Sequence, residues 1–133
     1  MDKAATRALI DAAVEPFLRD VRATLDPLFH LDVKFDDDLW LFEAYGGGTS
    51  FPTNVESMDV PSLTAEIAQR IPDSPAFDDL LDPWPRCPRH QDHPLYPEVR
   101  KGIAVWACRR GENVAIPIGE LADVRSNGDD SAP

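Results

Sequence analysis

The chain has 133 residues, of which 43% are hydrophobic, and its formal net charge is −11. This length fits one domain, or one domain with a small appended module, and the hydrophobic content excludes a globally disordered chain. The sequence contains no run of about 18 apolar residues, which excludes a transmembrane helix. Because no apolar signal segment follows Met1, we expect a cytoplasmic protein without a membrane partner, whose two cysteines are reduced or bind metal.

The first 26 residues predict a helix, because apolar residues recur at intervals of three and four along one face. The residues of this apolar face are Leu9, Ile10, Ala13, Val14, Phe17, Leu18, Val21 and Leu25. Pro16 lacks one backbone donor, so we expect either a kinked helix or two helices placed end to end. The helix should end at Asp26, since a residue that precedes a proline avoids helical geometry.

Three strands are predicted next. Residues Leu31 to Phe35 alternate between apolar and polar, which is typical of a half-buried strand, and Asp36 to Asp38 then form a turn. Leu39 to Tyr45 is apolar on both faces, so this strand should be central. Gly46 to Gly48 is expected to be a turn rather than a phosphate-binding loop, because no lysine follows it. A weaker strand from Thr49 to Val55 contains a proline, which restricts it to an edge.

Two short helices and a connector follow the predicted sheet. Pro61 and Ser62 open the first helix, and its apolar face continues to Ile71. The second helix is expected over Pro75 to Leu81, since Ser74 can cap it and proline is favoured in a first turn. The prolines on either side of Trp84 then make a stiff connection to the remainder of the chain.

The last third of the chain predicts a β-hairpin and one further strand. Leu95 to Arg100 and Ile103 to Ala107 flank Lys101-Gly102, a typical hairpin turn, and Asn113 to Ile118 offers the third strand. We call residues 84–121 the ribbon segment. The polar residues 122–133 are expected to be a disordered tail.

The ribbon segment also concentrates the soft metal ligands of the chain. Both cysteines and two of the three histidines lie there, as Cys87, His90, His93 and Cys108. Thiolate and imidazole are the ligands that zinc prefers, and a structural zinc site takes four of them in a closed tetrahedron. The sequence therefore predicts one structural zinc ion. The alternative is a metal-free hairpin in which the cysteines are small core residues and the histidines lie on the surface.

This pattern resembles zinc-ribbon modules, in which two Cys-x-x-Cys knuckles are joined by a hairpin. The segment from Cys87-Pro88-x-His90-x-x-His93-Pro94-Leu95 through Trp106-x-Cys108 to Pro117-Ile118-Gly119-Glu120-Leu121 also resembles the end of a group of small, uncharacterised bacterial proteins. That resemblance implies no activity. Where a zinc ribbon would carry its fourth ligand, three residues after Cys108, this chain has Gly111, so His93 would have to take that role.

Charge divides the chain into two unequal parts. Residues 86–110 have a balance of +4, and the remainder has a balance of −15. We therefore expect the ribbon segment to dock against the acidic body, with Trp84 buried at the junction. If its bases instead face outward, they predict contacts with nucleic-acid phosphates. The bases concerned are Arg86, Arg89, Arg100, Arg109 and Arg110.

Together these patterns predict an α+β protein. An acidic body over residues 1–83 would comprise an N-terminal helix packed on a small antiparallel sheet and two short helices, and the ribbon segment would follow as a zinc-ribbon-like β-hairpin module. The preferred function is a non-enzymatic protein–protein interaction, for which an immunity- or antitoxin-like inhibitor of a basic toxin would suit the charge. Nucleic-acid binding is the first alternative.

An enzyme is the second alternative to a binding protein. It would use Cys87 or Cys108 as a nucleophile activated by His90, but the sequence identifies no third group to orient the histidine. The acidic runs Asp36 to Asp38 and Asp78-Asp79 could hold a divalent cation, although turn formation and a solvated helix face explain them equally well.

Overall fold

A computed structural model describes residues 2–44, 47–51, 54–71, 84–88, 93–108 and 114–123. Within these residues the protein is α+β, as predicted, with two three-stranded antiparallel sheets, two long α-helices and a short helical segment at residues 121–123. Residues 122 and 123, predicted to begin a disordered tail, are therefore helical, and the remainder of that tail, 124–133, lies outside the described residues. The helix predicted over Pro75 to Leu81 lies outside the described residues. In the described part of the chain no helix combines the length and the apolar character that a membrane span requires.

The first helix, α1 (Lys3–Thr24), is a single helix of 22 residues with Pro16 inside it. The alternative of two helices placed end to end is therefore wrong. The Asp2 carboxylate caps the N-terminus by accepting a hydrogen bond from the Ala5 amide at 2.8 Å. The helix continues past the proline because its apolar face keeps the same phase on both sides, with Ile10 and Phe17 fully buried.

The first sheet has the order β1 (Asp32–Asp36), β2 (Leu39–Ala44), β3 (Gly47–Ser50), so the predicted central strand is central. Asp36 pairs with Leu39 across the turn formed by Asp37 and Asp38. Both turn residues have positive φ, 51° and 62°, as a tight two-residue hairpin requires.

The predicted glycine turn is corrected by the structure. Gly47 and Gly48 belong to strand β3, because Ala44 pairs with Gly47 and Glu43 with Gly48. Gly46 lies outside the described residues. The edge strand predicted over Thr49 to Val55 thus begins two residues early and ends at Ser50, and Val55 instead belongs to a 3-10 turn. The glycines could not indicate the early start because they carry no side-chain pattern.

The second helix, α2 (Val60–Arg70), follows a 3-10 turn at Val55–Ser57. It confirms the predicted short helix, although the N-cap is Asp59, whose carboxylate accepts from the Ser62 amide at 2.8 Å. A buried hydrogen bond joins α2 to α1, since the Thr64 hydroxyl donates to the Ala13 carbonyl at 2.9 Å. The two helices share one apolar core.

The second sheet has the order β4 (Tyr96–Arg100), β5 (Ile103–Ala107), β6 (Ala115–Pro117) and confirms the predicted hairpin and third strand. Lys101 and Gly102 form the turn with φ of 52° and 78°. Strand β5 carries Trp106, which is 1% exposed and belongs to the same core as α1. The ribbon segment is therefore packed against the helices.

This docking depends on a buried carboxylate. Asp20 of α1 is 1% exposed and accepts three hydrogen bonds from the ribbon segment. The donors are the Trp106 indole Nε1 at 2.8 Å and the amides of Gly119 at 2.7 Å and Leu121 at 3.0 Å. Burial raises the pKa of the Asp20 carboxyl, and the three donors act in the opposite direction. The predicted docking thus occurs, but through one carboxylate rather than through the overall charge imbalance.

Aromatic rings complete the contact between α1 and the ribbon segment. Trp84 is half-buried, its ring centroid lies 5.6 Å from that of Trp106, and Phe17 contacts both tryptophans at 6.1 and 6.5 Å. The Trp84 indole donates to the Thr24 hydroxyl at 3.1 Å. Trp84 is therefore at the predicted junction, although it is half-buried there and not buried as expected.

Gly119→Ala should destabilise the protein more than the matched change Gly102→Ala. Both glycines have positive φ, but an added Cβ at Gly102 meets nothing within 4 Å, so only backbone strain opposes it. That strain costs about 1 kcal/mol. At Gly119 the Cβ would also lie 3.2 Å from the Pro16 Cβ and displace the amide that donates to Asp20, for a total of about 2 kcal/mol or more. Urea unfolding measures both changes, and equal losses would contradict this explanation.

Candidate metal centre

Three of the four predicted ligands meet at one point. The ligand atoms of Cys87, His93 and Cys108 all lie within 4.8 Å of one another. The two cysteines are 0% and 4% exposed, His93 is 9% exposed, and the cysteines are not joined by a disulfide. The fourth predicted ligand, His90, lies outside the described residues.

A closed loop places the first two ligands. Arg86 and Pro94 form an isolated antiparallel bridge, and the Leu95 amide donates to the Pro85 carbonyl at 2.7 Å. Inside that bridge the Cys87 amide donates to the His93 carbonyl at 3.1 Å. The chain thus leaves and returns to the same place within a few residues, so Cys87 and His93 lie side by side.

Strand β5 places the third ligand. Tyr96 pairs with Ala107, so Cys108, the next residue, lies beside the loop that ends at Leu95. The Cys108 amide donates to the Val114 carbonyl at 3.2 Å, which extends the pairing of β5 with β6 by one residue. Cys108 therefore has a fixed backbone position at the end of the sheet.

The His93 ring is oriented for binding through Nε2. Its Nδ1 lies 2.9 Å from the Pro94 carbonyl oxygen, which can only accept, so Nδ1 carries the proton and donates. In a neutral ring Nε2 then has a lone pair, and it faces the Cys108 Sγ at 3.8 Å. Metal-binding histidines typically donate their second ring nitrogen to a carbonyl or carboxylate in this way.

The distances suit a tetrahedral zinc ion. With zinc–sulfur bonds of about 2.3 Å and zinc–nitrogen bonds of about 2.0–2.1 Å, a sulfur and a nitrogen ligand lie about 3.6 Å apart. The observed distance from the Cys108 Sγ to the His93 Nε2 is 3.8 Å. Because all three ligand atoms lie within 4.8 Å of one another, no pair would have to move closer by more than about 1 Å to bind one ion. Two thiolates and an imidazole also match the preference of zinc for sulfur and nitrogen.

The enzymatic alternative had assigned the activating role to His90. His90 lies outside the described residues, and within them the imidazole beside a thiol is that of His93, whose Nδ1 donates to a backbone carbonyl. Among the described residues no carboxylate joins the Cys87, His93 and Cys108 cluster, and no second group of three such ligands is close enough to hold a cation. This result includes Asp36 to Asp38, whereas Asp78-Asp79 lies outside the described residues.

The arginines of the nucleic-acid alternative are only partly described. Arg86 is exposed, and Arg100 forms an ion pair with Glu98 at 2.8 Å on strand β4. Arg89, Arg109 and Arg110 lie outside the described residues.

Asp20 is the residue that sequence reasoning missed. It lies three positions after Phe17 and one before Val21, so helical periodicity places it on the buried face of α1. An acidic residue on an apolar face was an available signal, because a buried carboxylate requires hydrogen-bond donors from elsewhere in the chain. The identity of those donors was not available from the spacing of the sequence.

Comparison of this chain with protein-family models, curated proteins and solved structures gives no match.

Proposed function

We propose that the ribbon segment holds one structural zinc ion through Cys87, His90, His93 and Cys108. The observation that supports this most strongly is the buried group of two thiols and an imidazole within 4.8 Å of one another. Two thiolates would balance the two positive charges of zinc, so the buried site would be close to neutral. A closed, four-ligand site leaves no position for a substrate, which favours a structural role over catalysis.

The zinc would complete a zinc-ribbon-like module that is too small to fold by itself. The second sheet has three short strands of five, five and three residues. Such a unit needs stabilisation beyond its own core. In this protein the packing on α1 provides part of it. Zinc would provide the rest by linking Cys87 to Cys108, which follows β5.

Protein purified without added metal should contain about one zinc per chain. His93→Ala and Cys108→Ser should each release most of it and lower the unfolding midpoint, since a metal that binds only the folded state stabilises that state. His30→Ala is the matched control, because His30 is exposed and pairs with Asp32 at 2.8 Å on the surface of the first sheet. Elemental analysis and thermal unfolding report the two effects. A zinc content near zero, with unchanged unfolding in chelator, would disprove the zinc proposal.

The biochemical role we propose for the whole protein is a non-enzymatic interaction with a basic protein, in the manner of an immunity protein or antitoxin. The net charge of −11 supports it, because an acidic surface attracts a basic partner. Arg7, Arg22 and Arg70 each donate to a backbone carbonyl of the protein itself, those of Val33, Phe29 and Ser50, so some of the hydrogen-bonding capacity of these bases is already used within the fold.

The first sheet offers a suitable contact surface. Its register places Asp32, Asp36 and Glu43 on the same face as Leu39, which is 40% exposed. Lys34 lies among them and pairs with Glu43. An apolar side chain surrounded by acidic ones is the arrangement expected for contact with a basic protein surface. We place this interaction in the cytoplasm, where reduced cysteines are available for zinc.

Nucleic-acid binding through the ribbon segment is the second candidate, and its favourable observation is the exposed Arg86. Against it, Arg100 is paired with Glu98, and the net charge of −11 opposes the approach of phosphate. The enzymatic alternative has no observation in its favour beyond the contact between Cys108 and His93.

Neutralising the two acidic residues of the turn between β1 and β2 tests whether the partner is a basic protein. Asp37→Asn with Asp38→Asn removes two charges, and asparagine tolerates the positive φ of both positions. The control, Glu56→Gln with Glu120→Gln, removes two exposed acids elsewhere. We expect a specific protein recovered by pull-down to bind the first variant about tenfold more weakly and the control nearly unchanged.

Gel shifts with random DNA and RNA near 50 mM salt give the rival candidate its most favourable conditions, because phosphate contacts strengthen as salt falls. Micromolar binding that is lost on Arg86→Ala, together with no recovered protein partner, would replace protein binding by nucleic-acid binding.

A further inference from the structure

We propose that Asp20 is a positioning residue for the metal centre: one turn of α1 holds both cysteine-bearing arms in place before any metal binds. This inference deepens the proposed zinc site and rests on it for the metal, but the positioning itself can be observed in the thiols alone. Its basis is a chain of hydrogen bonds from Asp20 and Thr24 to the two arms, which we define as residues 84–87 and 106–108.

The Asp20 carboxylate holds the arm that ends at Cys108. It accepts from the Trp106 indole at 2.8 Å, and Trp106 precedes Cys108 by two residues on the same strand. It also accepts from Gly119 and Leu121, which follow β6. Since β6 pairs with β5 over Trp106 and its neighbours, the carboxylate fixes both strands from which Cys108 takes its position.

The Asp20 backbone holds the other arm through Thr24. The Thr24 hydroxyl donates to the Asp20 carbonyl at 2.6 Å and accepts from the Trp84 indole at 3.1 Å. Trp84 precedes Cys87 by three residues, and its ring contacts that of Trp106 at 5.6 Å. Each cysteine is thus two or three residues from a tryptophan that is hydrogen-bonded to the same helical turn.

This arrangement predicts a preorganised site. When metal binding must also order the chain around separate ligands, the entropy cost of that ordering lowers the affinity. Ligands that are already held together avoid this cost. Thermodynamic coupling is reciprocal. If the hydrogen bonds at Asp20 increase metal affinity, bound metal must in turn stabilise those hydrogen bonds. Asp20 touches no ligand atom in the described structure, and it acts through the positions of Trp106 and Thr24.

Three variants separate positioning from general stability. Trp106→Phe removes one donor from Asp20 and keeps an aromatic ring, and Thr24→Val removes the acceptor for Trp84. The control, Thr64→Val, removes a comparable buried hydrogen bond to α1 that lies between the two helices and away from the arms. Circular dichroism first confirms that each variant is folded at the assay temperature.

The first readout is the alkylation rate of Cys87 and Cys108 in reduced protein with chelator, resolved by mass spectrometry. We expect Trp106→Phe to accelerate alkylation of Cys108, and Thr24→Val that of Cys87, by about tenfold, because each loses one hydrogen bond that joins α1 to the arm. Thr64→Val should react at the wild-type rate. Wild-type rates in both arm variants, or equal acceleration in the control, would overturn the inference.

The second readout is zinc affinity by competition with a chromophoric chelator. We expect the two arm variants to bind zinc about tenfold more weakly and the control to match the wild type. Equal affinity in all variants would overturn the coupling of Asp20 to the metal. If the wild type binds no zinc, the zinc proposal fails, while the alkylation rates still decide whether the turn at Asp20 positions the thiols.

Discussion

The buried carboxylate of Asp20 joins the N-terminal helix to the ribbon segment. An ionised group in the interior is costly unless donors surround it, and here the three donors come from the ribbon segment. Helix α1 cannot bury its apolar face without also burying Asp20. The ribbon segment is therefore a structural requirement for the N-terminal helix, and the two ends of the described chain stabilise each other.

The candidate metal ligands lie close to the same contacts. The carboxylate accepts a hydrogen bond from Trp106, and Trp106 precedes Cys108 by two residues. On the opposite side a loop closed by the bridge between Arg86 and Pro94 brings Cys87 and His93 together. Three soft ligands are thereby gathered in the interior, with the histidine oriented by a backbone carbonyl. Together these three side chains could hold a metal ion.

Much of the fold could be predicted from the sequence because local patterns determine it. The alternation in residues Leu31 to Phe35 and the turn at Lys101-Gly102 are short-range signals, and the structure confirms both elements, the strand as Asp32–Asp36. The proximity of Cys87, His93 and Cys108 could be predicted because a hairpin and a short loop are also local. The run of glycines was misassigned because glycine has no side chain from which a strand register can be inferred.

The long-range interactions could not be predicted in the same way. The sequence shows that Asp20 lies on an apolar face, but its donors lie about 90 to 100 residues away and include two backbone amides that leave no trace in composition. Docking of the ribbon segment was expected from opposite net charges. The contact instead consists of aromatic rings and one carboxylate, since directional hydrogen bonds in a dry interior discriminate more sharply than surface charge does.

We propose a protein in which a metal ion closes the ribbon segment and an excess of acids over bases, with a net charge of −11, attracts a basic partner. X-ray absorption at the zinc edge of the zinc-loaded protein shows whether the two thiols and the imidazole bind the same ion. The proposed ligand set predicts two sulfur atoms at about 2.3 Å and two nitrogen atoms at about 2.0–2.1 Å. A shell of oxygen and nitrogen alone, or one of four sulfur atoms, would contradict it.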